Sequence, residues 1–435
     1  MLQKMKGTYD LYETIPLMHD IERAIQAVSR LFQYQEMRTP HFELSELYHR
    51  SVGEESDIVS KETYDFTDRG GRLVTLRPEG TAGVVRSYVE NKLYAEPIRP
   101  QKYYYVGSMF RYERPQKGRF REFRQFGAEA FGSAQPELDA EMIAYAITFL
   151  SALKLKNLTV HINSLGDQSS KANYREALKK HIEPHLDTLC RDCQTRFQDN
   201  PLRILDCKVD QDHAALKTAP KPLDYLTDED RKHFESVLEL LEAMAINTTV
   251  DHGLVRGLDY YTHTVFEIKV DKALLGNQNT ICGGGRYNHL VESLGGPSTP
   301  AVGFAFGLER LVVALQAAGL KGKVSSLYCY IAAIEPTSVK YAMALMQSLR
   351  MRGLTCNMGF ERKSLKAQFK QSAHQKARFV IILGEAEIAS KTVQIKDQTT
   401  KESFSAPLDE VFSTIMARLN TADDCETCGH KGASK

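Results

Sequence analysis

The sequence of 435 residues lacks several features that would assign it to a particular class of protein. It contains no apolar run long enough to cross a bilayer, and its first residues lack the apolar stretch of a secretion signal. Eight cysteines are few for a disulfide framework, so we expect reduced thiols and a cytoplasmic location. The formal net charge of +1 does not by itself indicate a polyanionic partner.

Several catalytic signatures are also missing. The chain has neither the glycine fingerprint of dinucleotide-binding folds nor a phosphate-binding loop, and no Ser/His/Asp order or pair of acids indicates a hydrolase. It has no internal repeat. A hydrophobic content of 42% and a charged content of 26% are typical of a soluble globular protein, and the length predicts about two to four domains.

Residues 106–131, VGSMFRYERPQKGRFREFRQFGAEAF, predict two strands around a basic loop. Period-2 alternation places two sets of residues on shared faces: Met109, Arg111 and Glu113 on the first strand, and Gln125, Gly127 and Glu129 on the second. A guanidinium that faces an amide and a carboxylate across a glycine gap suits a ligand with an anionic group and hydrogen-bond donors. The alternative is an amphipathic hairpin with a solvated polar face.

The remaining patterns predict an α+β fold. Helical spacing occurs at 17–32, 80–93 and 137–153, and strand patterns occur at 74–76 and 158–162. From 167 to about 246 the patterns are mostly helical, which indicates an insertion. Strand patterns return at 248–251, 264–270 and 280–282, and 304–315 is a strand that turns into a helix. A sheet interrupted in this way favours mainly antiparallel strands over a doubly wound fold.

A linker pattern near 319–326 precedes alternating strands and helices that predict a small α/β domain. Within it, residues 338–402 contain 12 Lys and Arg against 5 Asp and Glu. This local excess is expected of a segment that meets nucleic acid, although a solvated surface with a chance imbalance is an equal alternative.

Four further places could carry chemistry. In LRPEGT, Glu79 and Thr81 could grip an ammonium group, or Pro-Glu could merely begin a helix. Arg256 precedes the tyrosine pair Tyr260 and Tyr261, and it could face a ligand or be a surface ion-pair partner. If the chain is extended there, one tyrosine should pack in the core and the other should offer its hydroxyl to a ligand. The glycines of ICGGGRYNHL permit close backbone approach to a ligand or a tight turn. Arg310, in a predicted first helical turn, opposes the helix dipole unless an anion such as phosphate lies nearby.

Two cysteine pairs have the spacing of zinc ligands. They are Cys190 with Cys193 and Cys425 with Cys428, and Cys207 and His430 could extend them. Neither set shows four ligands in a compact arrangement, so the sequence favours free thiols and predicts no metal there.

Several motifs, in order along nearly the whole chain, resemble the histidine-tRNA ligases, a family of class II aminoacyl-tRNA synthetases. TPHFELSELYHRSVGEESDIVSKETYDF resembles the dimer-forming first motif, FRYERPQKGRFREFRQFGAE the second and GFAFGLERL the third. LVRGLDYYT and GGGRY resemble the two signatures of the histidine enzyme. The resemblance implies a class II antiparallel sheet with flanking helices, a helical insertion and a C-terminal α/β anticodon-binding domain.

Carried over by position, the resemblance also implies roles for individual residues. The implied histidine-binding set is Glu79, Gly80, Thr81, Arg111, Gln125, Glu129, Arg256, Tyr260 and Tyr261. The implied ATP-binding set is Arg111, Arg119 and Arg310, with Arg111 and Arg256 as catalytic residues, and Arg114, Gln116 and Arg121 would meet the tRNA acceptor end. The implied reaction joins L-histidine to tRNA(His) with ATP and Mg²⁺, in a homodimer without membrane contact.

The implied domains are a catalytic domain at 1–166 and 247–322, the insertion at 167–246, an anticodon-binding domain at 323–420 and a tail at 421–435. Two features depart from the family pattern: His263, where many relatives have a smaller residue, and the tail with CETCGHK. The alternatives are a non-catalytic paralogue, such as a regulatory subunit of ATP phosphoribosyltransferase, and a nucleic-acid-binding module with a relic pocket. The phosphate-binding arginines and the basic C-terminal segment argue against the paralogue.

Overall fold

The computed structural model describes residues 2–53, 58–116, 118–205, 207, 209–255, 260–323, 326–361 and 363–420. The chain divides into two compact units, Met1–Lys323 and Val324–Lys435. Within the described ranges, no helix is both long and apolar enough to cross a membrane.

The first unit contains helices and strands in alternation. Its helices are α1 (Ile15–Leu31), α2 (Ser45–Val52), α3 (Thr81–Glu90), α4 (Pro136–Ala152), α5 (Gln168–Ile182), α6 (Arg191–Asp199), α7 (Ala214–Lys217), α8 (Asp228–Ala243), α9 (Lys272–Leu275), α10 (Leu290–Ser293) and α11 (Leu308–Ala317). Its strands are β1 (Gln35–Glu36), β2 (Phe42–Leu44), β3 (Tyr64–Thr67), β4 (Leu73–Leu76), β5 (Gln101–Phe110), β6 (Glu122–Phe131), β7 (Thr159–Ser164), β8 (Thr248–Val250), β9 (Thr262–Lys269), β10 (Thr280–Arg286) and β11 (Ala301–Gly307).

Eight of these strands form one large sheet in the order β1-β5-β6-β11-β10-β9-β7-β8. Its inner pairs are antiparallel, and parallel pairs occur at the two edges, β1 with β5 and β7 with β8. The predicted α+β class with mainly antiparallel strands is confirmed. The helices α5–α8 lie between β7 and β8 in sequence, so the helical segment leaves and rejoins the same edge of the sheet.

Helix α1 forms because its apolar residues recur at helical spacing and cover one face of this sheet. Met18, Ile21, Ile25 and Val28 are buried in one apolar cluster with residues of α4, β6 and β11. Burial of four such side chains stabilises the helix by several kcal/mol, at roughly 1.5–3 kcal/mol each. Helix α1 therefore covers one face of the large sheet and holds it in place.

Strand β10 is longer than predicted because its glycines are part of the sheet. The pattern predicted only 280–282, whereas the strand continues to Arg286. A Cβ atom at Gly284 would lie 2.4 Å from the Gly303 carbonyl oxygen, and one at Gly285 would lie 2.6 Å from the Thr264 carbonyl oxygen. The glycines therefore allow close packing of neighbouring strands and do not form a turn.

The second unit has one five-stranded sheet, in the order β13-β12-β14-β15-β16. Its strands are β12 (Cys329–Ala333), β13 (Cys356–Met358), β14 (Phe379–Leu383), β15 (Thr392–Asp397) and β16 (Ser403–Pro407). Its helices are α12 (Val339–Met351), α13 (Leu365–His374), α14 (Glu385–Ser390) and α15 (Val411–Asn420). The first three strands are parallel and the last two antiparallel, so the α/β pattern read up to residue 383 is extended by an unpredicted hairpin.

Candidate active site

A cleft in the first unit is lined by residues of α3, β6, β10, β11 and α11 and of the loops around them. Residues predicted from the sequence that line it are Glu79, Thr81, Arg111, Arg119, Gln125, Glu129, Tyr260, Tyr261 and Arg310. They come from four separate stretches of the chain. The fold thus brings together residues that are distant in the sequence.

Glu129 is the buried acid on the cleft floor. Thr81 Oγ1 donates to its Oε1 over 2.7 Å, and the Tyr287 hydroxyl donates to its Oε2. Burial raises the pKa of the Glu129 carboxyl to about 8, although the two hydrogen bonds oppose this shift. A Cβ atom at Gly303 of β11 would lie 1.7 Å from Glu129 Oε2, so the neighbouring strand has glycine where the carboxylate needs room.

Glu79 faces the same part of the cleft from the start of α3. Its carboxylate accepts from the backbone N–H groups of Thr81 and Ala82, over 2.7 and 2.8 Å. Burial raises its pKa, against the effect of these bonds. The helix-start interpretation of Pro-Glu is thus correct locally, and the carboxylate also lines the cleft. Gly80 contributes its backbone N–H, which donates to Gln125 Oε1 over 3.2 Å and orients that side chain.

The glycine gap predicted between Gln125 and Glu129 is not open to a ligand. Tyr105, which pairs with Gly127 across the β5–β6 ladder, fills it. A Cβ atom at Gly127 would lie 2.3 Å from the Tyr105 ring, and one at Gly80 would lie 2.1 Å from the same ring. The prediction of a slot at Gly127 was wrong because a cross-strand side chain occupies that space.

Both tyrosines of the Tyr260–Tyr261 pair line the cleft, with ring centroids 4.7 Å apart. Tyr261 is buried in an apolar cluster with Leu254 and Val265, as expected of one of the two, but it lines the cleft as well. Tyr287, which sequence reasoning missed, packs 5.5 Å from Tyr260. Tyr287 is the last residue of the GGGRY signature, so that signature could have identified it as a site residue.

The cleft is also rich in arginine. Arg111 Nε donates to the Pro78 carbonyl over 2.8 Å, and Glu113 lies between Arg111 and Arg119, at 3.7 and 3.4 Å from their nitrogens. Arg310 is in the first turn of α11, as predicted, and its Nε donates to the Thr280 carbonyl over 2.7 Å. Burial and the neighbouring Arg119 lower the pKa of Arg310. Three arginines that line one cleft make a site for a polyanion.

Comparison with known proteins agrees with this arrangement. The sequence profile named "Histidyl-tRNA synthetase" matches residues 11–311, and one named "Anticodon binding domain" matches residues 328–418. The chain belongs to the histidyl-tRNA synthetase family. A histidine–tRNA ligase of Bacillus subtilis strain 168 is 48% identical over 398 residues, which are 91% of this chain and 94% of that protein. A Geobacillus histidine–tRNA ligase is 46% identical over 95% of this chain and 99% of its own length.

Solved structures of histidyl-tRNA synthetases have the same fold. The crystal structure of the apo Staphylococcus aureus enzyme is 38% identical, covers 95% of this chain and 100% of its own, and superposes with a TM-score of 0.81. A structure described as an ATP phosphoribosyltransferase regulatory subunit/histidyl-tRNA synthetase, from Bacillus halodurans, has a TM-score of 0.63 at 22% identity, over 88% of this chain and 98% of its own. The latter likeness concerns the fold alone.

Other residues predicted for this family site lie elsewhere. Arg114 and Gln116 are exposed, and Gln116 pairs with Arg119 across the tip of the loop. The Arg121 guanidinium lies over the Tyr112 ring, 3.7 Å from its centroid. None of the three is among the residues that line the cleft, and their role at the tRNA acceptor end stays a prediction. Arg256 falls outside the described residues, and its role stays a prediction.

Two further points concern residues that the sequence left open or missed. His263 is not among the residues that line the cleft; its Nδ1 lies 3.2 Å from Asp230 of α8, and burial lowers its pKa. Phe120 and Phe123 do line the cleft. Phe123 shares the alternating face of Gln125, so the same pattern could have identified it.

Proposed function

We propose that this chain ligates L-histidine to tRNA(His) in two steps at the cleft. The histidine carboxylate attacks the α-phosphate of ATP and releases diphosphate, and the histidyl group of the resulting adenylate then passes to the tRNA and releases AMP. The observation that carries this proposal is one cleft that is lined by the buried carboxylates Glu79 and Glu129 and by three arginines. As a member of the family, the chain is an aminoacyl-tRNA ligase.

The buried carboxylates Glu79 and Glu129 fit histidine. An imidazole N–H needs an acceptor, and Glu129 is fixed by Thr81 and Tyr287 to supply one. The Glu79 carboxylate keeps lone pairs beyond its two backbone bonds, so it suits the α-ammonium group. Tyr260 and Tyr261 would enclose the ring. A site with buried groups that need a polar partner rejects side chains that lack one, which supports histidine over apolar amino acids.

The arginines that line the cleft fit ATP. The attacking carboxylate is already ionised, so the first step needs no general base and depends on positioning and on stabilisation of charge at phosphorus. Arg111, Arg119 and Arg310 supply that charge, and we assign the α-phosphate contact to Arg256. Phe120 and Phe123 are apolar surfaces suited to the adenine ring.

Mg²⁺ is a proposed companion of ATP. It prefers oxygen ligands and usually binds through one or two carboxylates together with substrate phosphates. Glu113, which lines the cleft between Arg111 and Arg119, is the carboxylate that fits this role. Bound Mg²⁺ would add positive charge to the phosphates where the arginines already act.

ATP/diphosphate exchange tests the proposed reaction. Exchange that depends on histidine, and on no other amino acid, is the expected result. A catalytically inactive regulatory paralogue would give no exchange with any amino acid, and a binding module with a relic pocket would bind nucleic acid without exchange. Either result would overturn the proposal. The match of residues 328–418 to an anticodon-binding domain favours the ligase.

We assign anticodon binding to the basic C-terminal unit. Lys366 and Lys370 are exposed at i and i+4 on α13, and Phe360 nearby in sequence is 74% exposed. Basic groups beside an exposed aromatic ring suit unpaired bases and their phosphates. The cytoplasm, where tRNA is charged, is the location we propose.

Reversing both charges, with Lys366→Glu and Lys370→Glu, is expected to raise the KM for tRNA about tenfold or more, because each lost phosphate contact also loses counterion release. Aminoacylation kinetics with varied tRNA measure this, and exchange without tRNA should not change. The matched control reverses two exposed lysines of the first unit, Lys154→Glu and Lys156→Glu. An unchanged KM in the α13 variant would exclude α13 from the tRNA interface.

We also propose that the chain forms a homodimer through the three-stranded sheet β2-β4-β3, which lies in the region that resembles the first motif. Leu44 and Phe66 flank Val74 on one face of this sheet, and Phe42 alternates onto the same face. The side chains of Phe42, Leu44 and Phe66 are 59%, 52% and 46% exposed. Apolar residues adjoining on one sheet face are typical of an association surface.

The variant Phe42→Asp/Phe66→Asp should sediment as a monomer under conditions where the parent chain sediments as a dimer, because two charges would be buried without partners. Analytical ultracentrifugation measures the mass. Met351→Asp changes an apolar residue of the second unit that is more exposed, at 78%, and should leave the mass unchanged. A parent chain that sediments as a monomer would contradict the dimer.

A further inference from the structure

The helical insertion brings four metal-ligating side chains together, away from the cleft. They are Cys190, Cys193, Cys207 and Asp210, and their ligand atoms all lie within 4.8 Å of one another. Cys190 is the N-cap of α6, Cys193 lies in its first turn, and the other two follow the 3-10 turn Pro201–Ile204. Cys193 and Cys207 are buried, with 0% and 5% exposure, and Asp210 is 9% exposed.

Two distances within this cluster match those of a tetrahedral zinc site. Two sulfurs bound at about 2.3 Å to a tetrahedral zinc lie about 3.8 Å apart, and a sulfur and a carboxylate oxygen lie about 3.6 Å apart. The Cys190 and Cys207 sulfurs are 3.7 Å apart, and the Cys207 sulfur is 3.6 Å from Asp210 Oδ2. Two of the six ligand-to-ligand distances of such a site are thus already present in the protein.

Two matching turns support the ligands. The backbone N–H of Asp210 donates to the Cys207 sulfur over 3.4 Å, and the Cys193 N–H is directed at the Cys190 sulfur in the same way. Both turns have a ligand at the first and fourth positions, Cys-x-x-Cys and Cys-x-x-Asp. These backbone contacts fix the positions of two of the sulfurs, which would bind metal as thiolates.

We propose that Cys190, Cys193, Cys207 and Asp210 bind one structural Zn²⁺ ion in the helical insertion. Three thiolates select a soft or borderline ion such as zinc over magnesium or calcium, which prefer oxygen ligands. Four protein ligands fill a tetrahedral shell and leave no position for a substrate, so the role is structural and not catalytic. The sequence favoured free thiols because Asp210 was not recognised as the fourth ligand.

The ion would link the start of α6 to the loop at 207–210. These segments belong to a small apolar cluster that includes Tyr174, Leu178 and Ile182 of α5. A cluster of this size gains little from hydrophobic burial alone, so a metal cross-link adds stability that the core does not supply. Removal of the ion is expected to loosen this segment first.

Metal analysis of the full-length protein tests the proposal. Purified in zinc-containing medium without chelator, the chain should hold about one zinc per molecule. Cys193→Ser and Cys207→Ser should each lose it. The matched control is Cys425→Ser/Cys428→Ser, which removes the other Cys-x-x-Cys pair and should retain the zinc. Loss of zinc from the control alone, with retention in the first two variants, would overturn the assignment.

Spectroscopy keeps the proposal testable if those variants misfold. The parent chain, stripped by a chelator and reloaded with Co²⁺, should show thiolate charge-transfer bands and the visible bands of a tetrahedral ion. Asp210→His keeps four ligands, so it should bind Co²⁺ and shift the visible bands. A parent chain that holds no zinc, binds no Co²⁺ through thiolates, or carries a Cys190–Cys207 disulfide by mass spectrometry would refute the site.

Discussion

Glu129→Gln is expected to raise the KM for histidine in the exchange reaction about 10- to 150-fold, the equivalent of about 1.5–3 kcal/mol for a lost hydrogen bond to a charged group. The amide is nearly the same size as the carboxylate, so one of the two hydroxyls can still donate to its oxygen and the other can accept from its NH₂ group. It cannot supply the charged acceptor that the imidazole N–H requires. Exchange kinetics at varied histidine concentration measure the effect, and an unchanged KM would show that Glu129 does not contact the substrate.

The effect should also depend on pH. The pKa of Glu129 in the unliganded protein is about 8, so its charged fraction increases as the pH rises toward that value. The ratio of the variant's KM to the parent's should therefore increase from pH 6 to about pH 8, while ionisation of histidine itself cancels in the ratio. Because the pKa is raised on folding, the unliganded parent should lose stability over the same pH interval, and the variant should lose less.

Arg310→Ala is expected to slow exchange about 10²- to 10³-fold through kcat, the equivalent of about 2.7–4 kcal/mol of barrier. Arg310 is half-buried at the start of α11 and lines the cleft near Arg119, so we expect it to act where charge develops on phosphorus. Histidine binding, measured by calorimetry without ATP, should stay nearly the same because the proposed histidine contacts do not include Arg310. Equal losses of histidine affinity and rate would contradict the assignment.

Arg124→Ala is the matched control for Arg310→Ala. Arg124 also follows the basic loop, but its guanidinium pairs with Glu22 over 2.9 Å and does not line the cleft. The backbone N–H of Arg124, which donates to Glu309, is unaffected by the change. Exchange by this variant should match the parent, so a loss in Arg310→Ala alone would be specific to the cleft.

Local patterns predicted much of the fold and the site. The periodicity of 17–32 predicted α1, the alternation around residue 125 predicted the face of β6 that carries Gln125 and Glu129, and helix α11 placed Arg310 in its first turn. These features depend on the spacing of neighbouring residues, so they are visible in the sequence. The polar residues of the cleft were found for the same reason.

Features that depend on register between distant segments were not predictable. The occupation of the Gly127 gap by Tyr105 follows from the pairing of β5 with β6. Likewise, Asp210 joins the cysteines only because the chain after α6 folds back on the start of that helix. In each case the deciding contact is with a residue that local spacing does not specify.

The Tyr105 ring, which lies between Gly80 and Gly127, has a consequence for how the sequence can change in evolution. A larger residue at either glycine would expel the ring, while a smaller residue at position 105 would leave a void beside both. Substitutions at these three positions should therefore be correlated among relatives. Tyr105 lies 25 positions along the chain from Gly80 and 22 positions from Gly127.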